Sequence, residues 1–364
     1  MRILALLSDA FGGHGGIAQY NRHLLIALCS EPQVERVVAA VRWMPNSPEE
    51  PLPAGLTYET AGVRGWPQYV AKSLLHAFRA PRFDLIVCGH IHLVPLAVVA
   101  ARVLRARVML VIHGIEAWQP SPNAAANWLL AKVTCVVAVS EYTRRRFLAW
   151  SGVQQDKVRL LPNAIQAQRY GTARKSDELA RRYGLNGRTA LLTLGRLAAG
   201  ERTKGFDEVL EILPRLAKRI PEIIYLIAGE GDDKTRLQRK AQELGITDRV
   251  VFTGMVPEDE KPDLYRLADV YVMPSRGEGF GIVFLEAMAC GVPVVASKVD
   301  GSREAVRNGE LGLLVDPSKP EEIETAIMDA LTQPREVPPG LEYFAFERFC
   351  ERLGKILDWL TRVP

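Results

Sequence analysis

Two glutamates, Glu278 and Glu286, stand in a glycine-rich stretch with seven residues between them. Gly279 and Gly281 allow a loop to approach a ligand closely, and residues 282–290 favour a helix that begins directly after that loop. The N-terminus of a helix presents free amide groups and partial positive charge, so it suits a phosphate. Carboxylates do not attract phosphate, but they accept hydrogen bonds from sugar hydroxyls. The arrangement therefore predicts a pocket for a nucleotide-linked sugar.

Two cations follow another strand-like run, residues 190–194. Arg196 comes directly after this run, and Lys204 stands just before the next helical pattern. Two cations at the carboxyl end of a strand can neutralise a diphosphate, and arginine can do so in a bidentate manner. The alternative is two solvated loop charges. Because the order of elements places this turn at the same sheet edge as Glu278, the diphosphate interpretation is favoured.

The first half of the chain has two candidates of its own. The glycine-rich turn at residues 12–16 opens a helical pattern, so Gly15 and Gly16 can approach a phosphate, although the turn lacks the dinucleotide fingerprint. His113 ends the strand-like run 108–112, where a side chain can reach a substrate. A merely structural tight turn and a structural histidine are the respective alternatives.

Three further patterns are ambiguous. Residues 252–257 end a strand with a glycine, so their backbone can read a nucleobase or form an ordinary loop. His90 and His92 have no evident third metal ligand, which favours a substrate-lining or structural role. The acids of residues 258–260 lie at a predicted helix start, where they favour the helix dipole. We therefore expect no metal ion and no cofactor.

Length and composition are those of a globular protein. The chain has 364 residues, 48% hydrophobic and 24% charged, which suits two domains. No apolar run approaches the ~20 residues of a membrane-spanning helix, and the N-terminus lacks a signal-peptide cleavage pattern. The five scattered cysteines are typical of reduced residues in a cytoplasmic protein.

The net charge of +4 is unevenly distributed. Residues 1–170 carry a formal charge of +8 and the remainder −4. Part of this excess lies on a helical pattern at residues 69–79, in which Lys72, His76 and Arg79 face away from the apolar side. Such a basic amphipathic helix can bind an anionic membrane surface. The alternative is a solvated face whose apolar side packs inward.

Strand-like apolar runs alternate with helical patterns in both halves. The predicted strands are 3–7, 37–41, 85–88, 108–112 and 135–139, then 190–194, 223–228, 250–252, 270–273 and 292–296. The predicted helices of the second half are 206–218, 234–244, 258–267 and 282–290, and an amphipathic pattern at 344–360 predicts a terminal helix. This alternation predicts an α/β protein with two doubly wound, Rossmann-like domains.

Taken together, these residues resemble the family 4 glycosyltransferases, which have the GT-B architecture, over essentially the whole chain. The resemblance rests on the glycine-rich first turn, Ser140-Glu141, residues 161–165, Gly195-Arg196, Lys204-Gly205, residues 228–231, 252–254 and 268–270, and the paired glutamates with residues 287–293. One difference is mild: Asn163-Ala-Ile stands where the family often has Asn-Gly-Val.

The resemblance implies a domain organisation and a reaction. Residues 1–168 would bind the acceptor and residues 169–340 the donor across a cleft, while residues 341–364 would return as a helix to the N-terminal domain. The enzyme would transfer a hexose such as mannose or glucose, with retention of configuration and without a metal, from a UDP- or GDP-linked donor. The acceptor would be a glycan or lipid-linked molecule of polysaccharide or glycolipid biosynthesis.

The resemblance also implies roles for individual residues. Arg196 and Lys204 would stabilise the leaving diphosphate, Glu278 would bind donor-sugar hydroxyls, and His113 would contact the sugar near the reacting carbon. Glu286 would hold the ribose. The remaining donor-binding residues are Gly15, Gly16, Met255, Val256, Gly281, Ile282 and Val283.

Two rival functions remain at this stage. A nucleotide-sugar epimerase of similar build would need an acid/base pair that the sequence does not single out. The presence of all of the implied catalytic and donor-binding side chains argues against a non-catalytic nucleotide-sugar-binding protein: Arg196, Lys204, Glu278, Glu286 and His113. The expected location is the cytoplasm, with a possible peripheral position on the inner face of the membrane. The expected partners are the donor and acceptor, without nucleic acid.

Overall fold

The computed structural model describes residues 1–48, 50–79 and 82–362, except the side chains of residues 77–79. The chain forms two compact units. The first contains Met1–Ala164 and the C-terminal helix, and the second contains Ile165–Ala345.

The first unit is a seven-stranded parallel sheet with helices between its strands. Its strands are β1 (Arg2–Leu7), β2 (Arg36–Val41), β3 (Leu56–Glu59), β4 (Leu85–Cys88), β5 (Arg107–Ile112), β6 (Cys135–Ala138) and β7 (Val158–Leu160). Its helices are α1 (Gly16–Ser30), α2 (Trp66–Arg79), α3 (Val94–Leu104), α4 (Ala124–Leu129), α5 (Glu141–Ser151) and α13 (Phe346–Arg362).

The second unit is a six-stranded parallel sheet. Its strands are β8 (Thr189–Leu194), β9 (Ile223–Ala228), β10 (Val250–Gly254), β11 (Val270–Met273), β12 (Val294–Ser297) and β13 (Leu313–Val315). Its helices are α6 (Asp177–Arg182), α7 (Phe206–Arg219), α8 (Lys234–Glu243), α9 (Lys261–Leu267), α10 (Ile282–Ala289), α11 (Ser302–Ala305) and α12 (Pro320–Ala330).

Both sheets reverse their winding direction once. The strand order is β3-β2-β1-β4-β5-β6-β7 in the first unit and β10-β9-β8-β11-β12-β13 in the second. The reversals therefore fall between β1 and β4 and between β8 and β11. At such a point the connections leave in opposite directions, which opens a crevice at the carboxyl ends of the strands. Each unit consequently has one place where its topology favours ligand binding.

Buried apolar strands form the centre of each unit. Every residue of β9 is buried, as are five of the six residues of β1, because helices cover both faces of such parallel sheets. In α13, the residues Phe349, Leu353, Ile356, Leu357 and Leu360 recur at helical spacing and are buried within the first unit. Its Trp359 also packs under the guanidinium of Arg159, 4.3 Å from the ring centre.

The predicted fold class, two parallel-sheet α/β units, is confirmed. Three short edge strands, β3, β7 and β13, were not predicted, because three or four residues carry too little periodicity. The helix predicted at 258–267 instead begins at Lys261, since Pro262 suits the first turn and residues 258–260 form the preceding turn.

Gly205 links Lys204 to α7 and has a φ of 79°. A Cβ at this position would lie 2.7 Å from the Cδ and carbonyl oxygen atoms of Pro274. We expect Gly205→Ala to lower the free energy of unfolding by roughly 1–3 kcal/mol, measured by urea denaturation. Gly200 of the same loop has nothing within 4 Å of such a Cβ, so Gly200→Ala is the control and should change stability by less than about 0.5 kcal/mol. Equal losses in both variants would contradict the expectation.

Candidate functional site

The structure brings Lys204 and Glu278 together at the reversal point of the second sheet. Lys204 follows β8 and Glu278 follows β11, and these strands are neighbours. Their side chains form an ion pair and are 24% and 16% exposed. Burial alone would lower the pKa of the Lys204 ammonium, but Glu278 and then Asp300 more than offset it, so the pKa is raised. Lys204 is therefore a permanent cation at this edge.

Asp300 holds the loop that carries Glu278. One of its carboxylate oxygens accepts hydrogen bonds from the Ser275 hydroxyl (2.7 Å) and from the backbone amide of Glu278 (2.8 Å). The other accepts from the amide and hydroxyl of Ser302, and the Gly301 amide donates to the Glu278 carbonyl at 2.8 Å. Burial raises the pKa of Asp300 to about 6, although hydrogen bonds from Ser302, Glu278 and Ser275 oppose the shift.

Asp300 was missed in the sequence analysis. It follows a predicted strand, so its place at a carboxyl end could have been recognised, but the adjacency of β12 to β11 cannot be read from the sequence. Only that adjacency brings its carboxylate to the Glu278 loop.

Glu286 lies on α10 and is 1% exposed. The Tyr265 hydroxyl, from α9, donates a 2.6 Å hydrogen bond to its Oε2 atom, whereas Oε1 has no hydrogen-bond partner among the described residues. The Tyr170 hydroxyl is close to this carboxylate: burial, then the charge of Glu286, raises its pKa. Glu286 thus offers one buried acceptor that no other side chain has taken.

The start of α10 lies between the two glutamates. Gly281 precedes the helix with a φ of 89°, and a Cβ there would lie 2.7 Å from the ring of Phe284. The first amides of a helix have no acceptor within it, so Ile282 and Val283 present N–H groups at this end. The start of α10 therefore adds amide donors to the sheet edge that also carries Lys204 and the two carboxylates.

Arg196 is not part of this cluster. Its side chain is 67% exposed, and its guanidinium pairs with Glu201 of the same loop. In the described part of the chain it forms no ion pair with Glu278. Arg196 therefore follows β8 as the sequence indicates, but its charge is already balanced by Glu201.

Met255 and Val256 follow β10, two strands away from β8. Met255 is 68% exposed and Val256 is partly buried. The carbonyl of Gly254 already accepts a 2.9 Å hydrogen bond from the Gly229 amide. An exposed apolar side chain at this edge can pack against a flat ring, which is compatible with the role that the sequence suggested.

His113 lies at the carboxyl end of β5 in the first unit and is 8% exposed. Its Nε2 atom lies 3.2 Å from the Gly89 carbonyl, so the neutral ring donates there and keeps Nδ1 as an acceptor. Its backbone amide donates to Glu116 at 2.5 Å, and its ring meets Tyr20 edge-on at 5.1 Å. Burial lowers the pKa of His113, with Glu116 opposing the shift, so the ring is held in the neutral form.

The glycine turn opens α1 at the reversal point of the first sheet. Gly15 has a φ of 87° and, like Gly16, is exposed. Asp9 follows β1 and is buried, which raises its pKa, and it lies near enough to His113 for their charges to interact. His90 and His92 stack at 4.9 Å, and Ser121 lies 3.1 Å from Nδ1 of His92. These histidines thus line the same edge as His113.

Two observations concern metals and membranes. Within residues 1–48, 50–79 and 82–362, no three His, Cys, Asp or Glu side chains are grouped so as to hold a metal ion. All five cysteines are free, and Cys88, Cys135 and Cys290 are buried. No helix of the described chain combines the length and apolar character that crossing a bilayer requires.

The buried Asp300 carboxyl should make the stability of the protein depend on pH. The pKa of Asp300 is about 6 in the folded protein against an ordinary value of 3.8, so the native state binds the extra proton and stability falls as pH rises from about 4 to 7. We expect the wild type to lose ~3 kcal/mol of unfolding free energy relative to Asp300→Asn over this range.

Urea denaturation at both pH values measures this difference. Asp316→Asn is the control, because Asp316 is a partly buried carboxyl whose pKa is lowered, not raised, by the Ser318 hydroxyl. A pH dependence that is equal in wild type and Asp300→Asn would contradict the expectation.

Comparison with known proteins places this geometry in a family. Residues 14–169 match the description "Glycosyltransferase Family 4", and residues 176–343 match "Glycosyl transferases group 1". The chain is 38% identical over 257 residues to a GDP-mannose-dependent alpha-(1-6)-phosphatidylinositol monomannoside mannosyltransferase of Mycolicibacterium smegmatis. It is 29% identical over 235 residues to a 2-deoxystreptamine glucosyltransferase of Streptomyces kanamyceticus.

The first match covers 66% of this chain and 66% of the mannosyltransferase, and the second covers 63% of this chain and 60% of the glucosyltransferase. The chain therefore spans less than two thirds of the length of either relative. Among solved structures, HepE of Anabaena in complex with UDP and glucose is similar with a TM-score of 0.76 and 21% identity, over 99% of this chain and 100% of that one. Sucrose-phosphate synthase of Thermosynechococcus elongatus has a TM-score of 0.76 and 24% identity, over 99% of both chains. These structures share the fold. The two family matches, which together span most of the chain, show that it belongs to the family 4 glycosyltransferases.

Proposed function

We propose that this protein is a retaining hexosyltransferase that takes its sugar from a nucleoside diphosphate sugar. The observation that carries the proposal is the Lys204–Glu278 pair at the reversal point between β8 and β11, beside the start of α10. A cation and free helix amides suit a diphosphate, and a carboxylate next to them suits sugar hydroxyls. The buried Glu286 on the same helix adds an acceptor for the ribose.

Each residue then has a chemical task. Lys204 and the amides of Ile282 and Val283 stabilise the negative charge that develops on the leaving diphosphate, which is the largest catalytic effect in such reactions. Arg196 joins them when the diphosphate replaces Glu201 as its partner. Glu278 accepts hydrogen bonds from the donor sugar. His113, neutral and with Nδ1 free as an acceptor, binds a sugar hydroxyl and is not the general base.

The proton of the acceptor hydroxyl goes to an oxygen of the leaving diphosphate, on the face from which that group departs. The glycosidic bond to the diphosphate breaks as the new bond forms on the same side, so configuration is retained. This scheme needs no protein base and no metal. It is supported by the neutral, hydrogen-bonded state of His113 and by the permanent charge of Lys204.

The donor proposed for the first test is GDP-mannose, because the similar mycobacterial proteins are named for it. UDP-glucose is the second candidate, and Met255 and Val256 are proposed to flank either base. The names of these mannosyltransferases point to a glycolipid acceptor, with the wider class of glycan acceptors as the alternative.

Turnover distinguishes the transferase from its rivals. The purified protein is incubated with GDP-mannose or UDP-glucose, with and without a bacterial lipid extract, and released nucleoside diphosphate is measured. We expect release only with acceptor, and no loss of rate in EDTA. An isomerised donor without acceptor would show an epimerase, nucleotide binding without turnover would show a binding protein, and a complete loss in EDTA restored by Mn²⁺ would contradict metal-free transfer.

Lys204→Ala and Glu286→Ala should each weaken binding of GDP or UDP by about tenfold to a hundredfold, because each removes a charge-assisted hydrogen bond. Isothermal titration calorimetry measures the dissociation constants. Lys218→Ala, on the exposed side of α7, is the matched control and should not change them. Unchanged affinity in both site variants would remove the assignment.

We further propose that the first unit docks on an anionic membrane surface, with the protein in the cytoplasm. Helices α2, α3 and α4 pack side by side, and none of them contains Asp or Glu. Val99, Val103 and Trp128 are 51%, 50% and 75% exposed. With the exposed cations they form what we call the α3–α4 face: Val99, Arg102, Val103, Arg105, Trp128 and Lys132.

This face has the chemistry of a peripheral membrane site. Apolar side chains can enter the interface, and each cation near an anionic surface contributes ~1 kcal/mol. On α2, Lys72 and Trp66 are exposed, whereas His76 pairs with Glu59 at 3.0 Å. The side chain of Arg79 lies outside the described residues.

Co-sedimentation with phosphatidylglycerol and phosphatidylcholine vesicles tests the membrane proposal. We expect binding to the anionic vesicles at low salt, and a loss of about tenfold in Trp128→Ser/Arg102→Glu. The control, Val337→Ser/Lys218→Glu, makes the same kinds of change at exposed positions of the second unit and should bind normally. No binding by wild type, or an equal loss in the control, would contradict the proposal.

A further inference from the structure

The two oxygens of the Glu286 carboxylate have different surroundings. Oε2 accepts the 2.6 Å hydrogen bond from the Tyr265 hydroxyl, and Oε1 has no hydrogen-bond partner among the described residues. The side chain is 99% buried, so water does not readily replace the missing partner. A buried acceptor without a partner is unfavourable, and such atoms in folded proteins call for a functional explanation.

The Tyr265 hydroxyl is held in place by its own surroundings. Its side chain is fully buried, and its ring lies 5.8 Å from that of Tyr271. Helices α9 and α10 pack together, so donor and acceptor are both carried by rigid elements. Burial, followed by the charge of Glu286, raises the pKa of the Tyr265 hydroxyl. The hydroxyl therefore keeps its proton and donates it in the hydrogen bond to Glu286.

A carboxylate with one oxygen fixed in this way cannot rotate freely. Rotation would break the 2.6 Å hydrogen bond that Oε2 accepts from the Tyr265 hydroxyl, so Oε1 remains turned away from Tyr265. We propose that Tyr265 is a positioning residue for nucleotide recognition: it holds Glu286 so that Oε1 accepts a hydrogen bond from a ribose hydroxyl. The inference rests on the proposed function, since it needs a nucleoside diphosphate at this site.

Tyr170 supplies an internal control. Its hydroxyl interacts with the same carboxylate: burial, the charge of Glu286 and a hydrogen bond with that side chain raise the pKa of Tyr170, while Oε1 remains without a hydrogen-bond partner among the described residues. The Gly171 amide donates to Ala289 at 2.9 Å, which keeps this segment next to α10. Removal of the Tyr170 hydroxyl therefore changes the same local environment but leaves the 2.6 Å hydrogen bond from Tyr265 to Oε2 in place.

The test compares ribose with deoxyribose. Calorimetry measures the dissociation constants of GDP, UDP and their 2′,3′-dideoxy counterparts. The proteins compared are the wild type, Tyr265→Phe, Tyr170→Phe, Glu286→Ala and the double variant Tyr265→Phe/Glu286→Ala. We expect the wild type to prefer the ribonucleotide by about tenfold or more, and Glu286→Ala to show almost no preference. Tyr265→Phe should lose most of the preference, Tyr170→Phe should keep it, and Tyr265→Phe should have no further effect once Glu286 is absent.

If Tyr265→Phe keeps the full ribose preference, the inference is overturned but the proposed function is not. Failure of both GDP and UDP to bind the wild type overturns the proposed function, and the inference with it. If Tyr265→Phe does not fold, a crystal structure of the wild type with GDP replaces it, because the inference requires a ribose hydroxyl on Oε1 while Oε2 still accepts from Tyr265. A ribose hydroxyl on Oε2, or a Tyr265 hydroxyl that no longer bonds to the carboxylate, overturns the inference.

Discussion

The Lys204–Glu278 ion pair is the interaction on which the site depends. Its two partners stand 74 residues apart, and they meet because β8 and β11 are hydrogen-bonded neighbours where the sheet reverses its winding. Half-buried charges are unfavourable when they are alone, so each partner requires the other. The pair thereby fixes the loop before α7 and the loop before α10 at the edge where α10 begins.

Each of the two proposed diphosphate-binding cations already faces at least one carboxylate. Lys204 faces Glu278 and Asp300, and Arg196 faces Glu201. An incoming diphosphate therefore has to replace a carboxylate as the partner of each cation. The exposed Arg196–Glu201 pair is easily exchanged, because such surface pairs contribute little. The Lys204 pair is more buried, and Asp300 anchors its loop. We infer that donor binding exchanges ion pairs within a preformed frame, while Glu286 stays fixed by Tyr265.

Much of the fold could be predicted from the sequence, because long buried strands such as β1 and β9 leave clear apolar runs. Lys204 and Glu278 could be assigned to one edge, since parallel strands share their carboxyl ends. Their direct contact depends on strand order, which local patterns do not record. For the same reason the role of Asp300 was hidden. The partnership of Tyr265 with Glu286 depends on how α9 packs on α10, and the pairing of Arg196 with Glu201 depends on the path of a loop.

The central claim is that the edge between β8 and β11 of the second unit binds the diphosphate of a sugar nucleotide. A crystal structure of the protein with GDP tests it most directly. The account predicts a diphosphate oxygen about 2.7–2.9 Å from Nζ of Lys204, and a ribose hydroxyl at hydrogen-bond distance from Oε1 of Glu286. A nucleotide bound elsewhere, with Lys204 still paired to Glu278 and Oε1 still unpartnered, would contradict it.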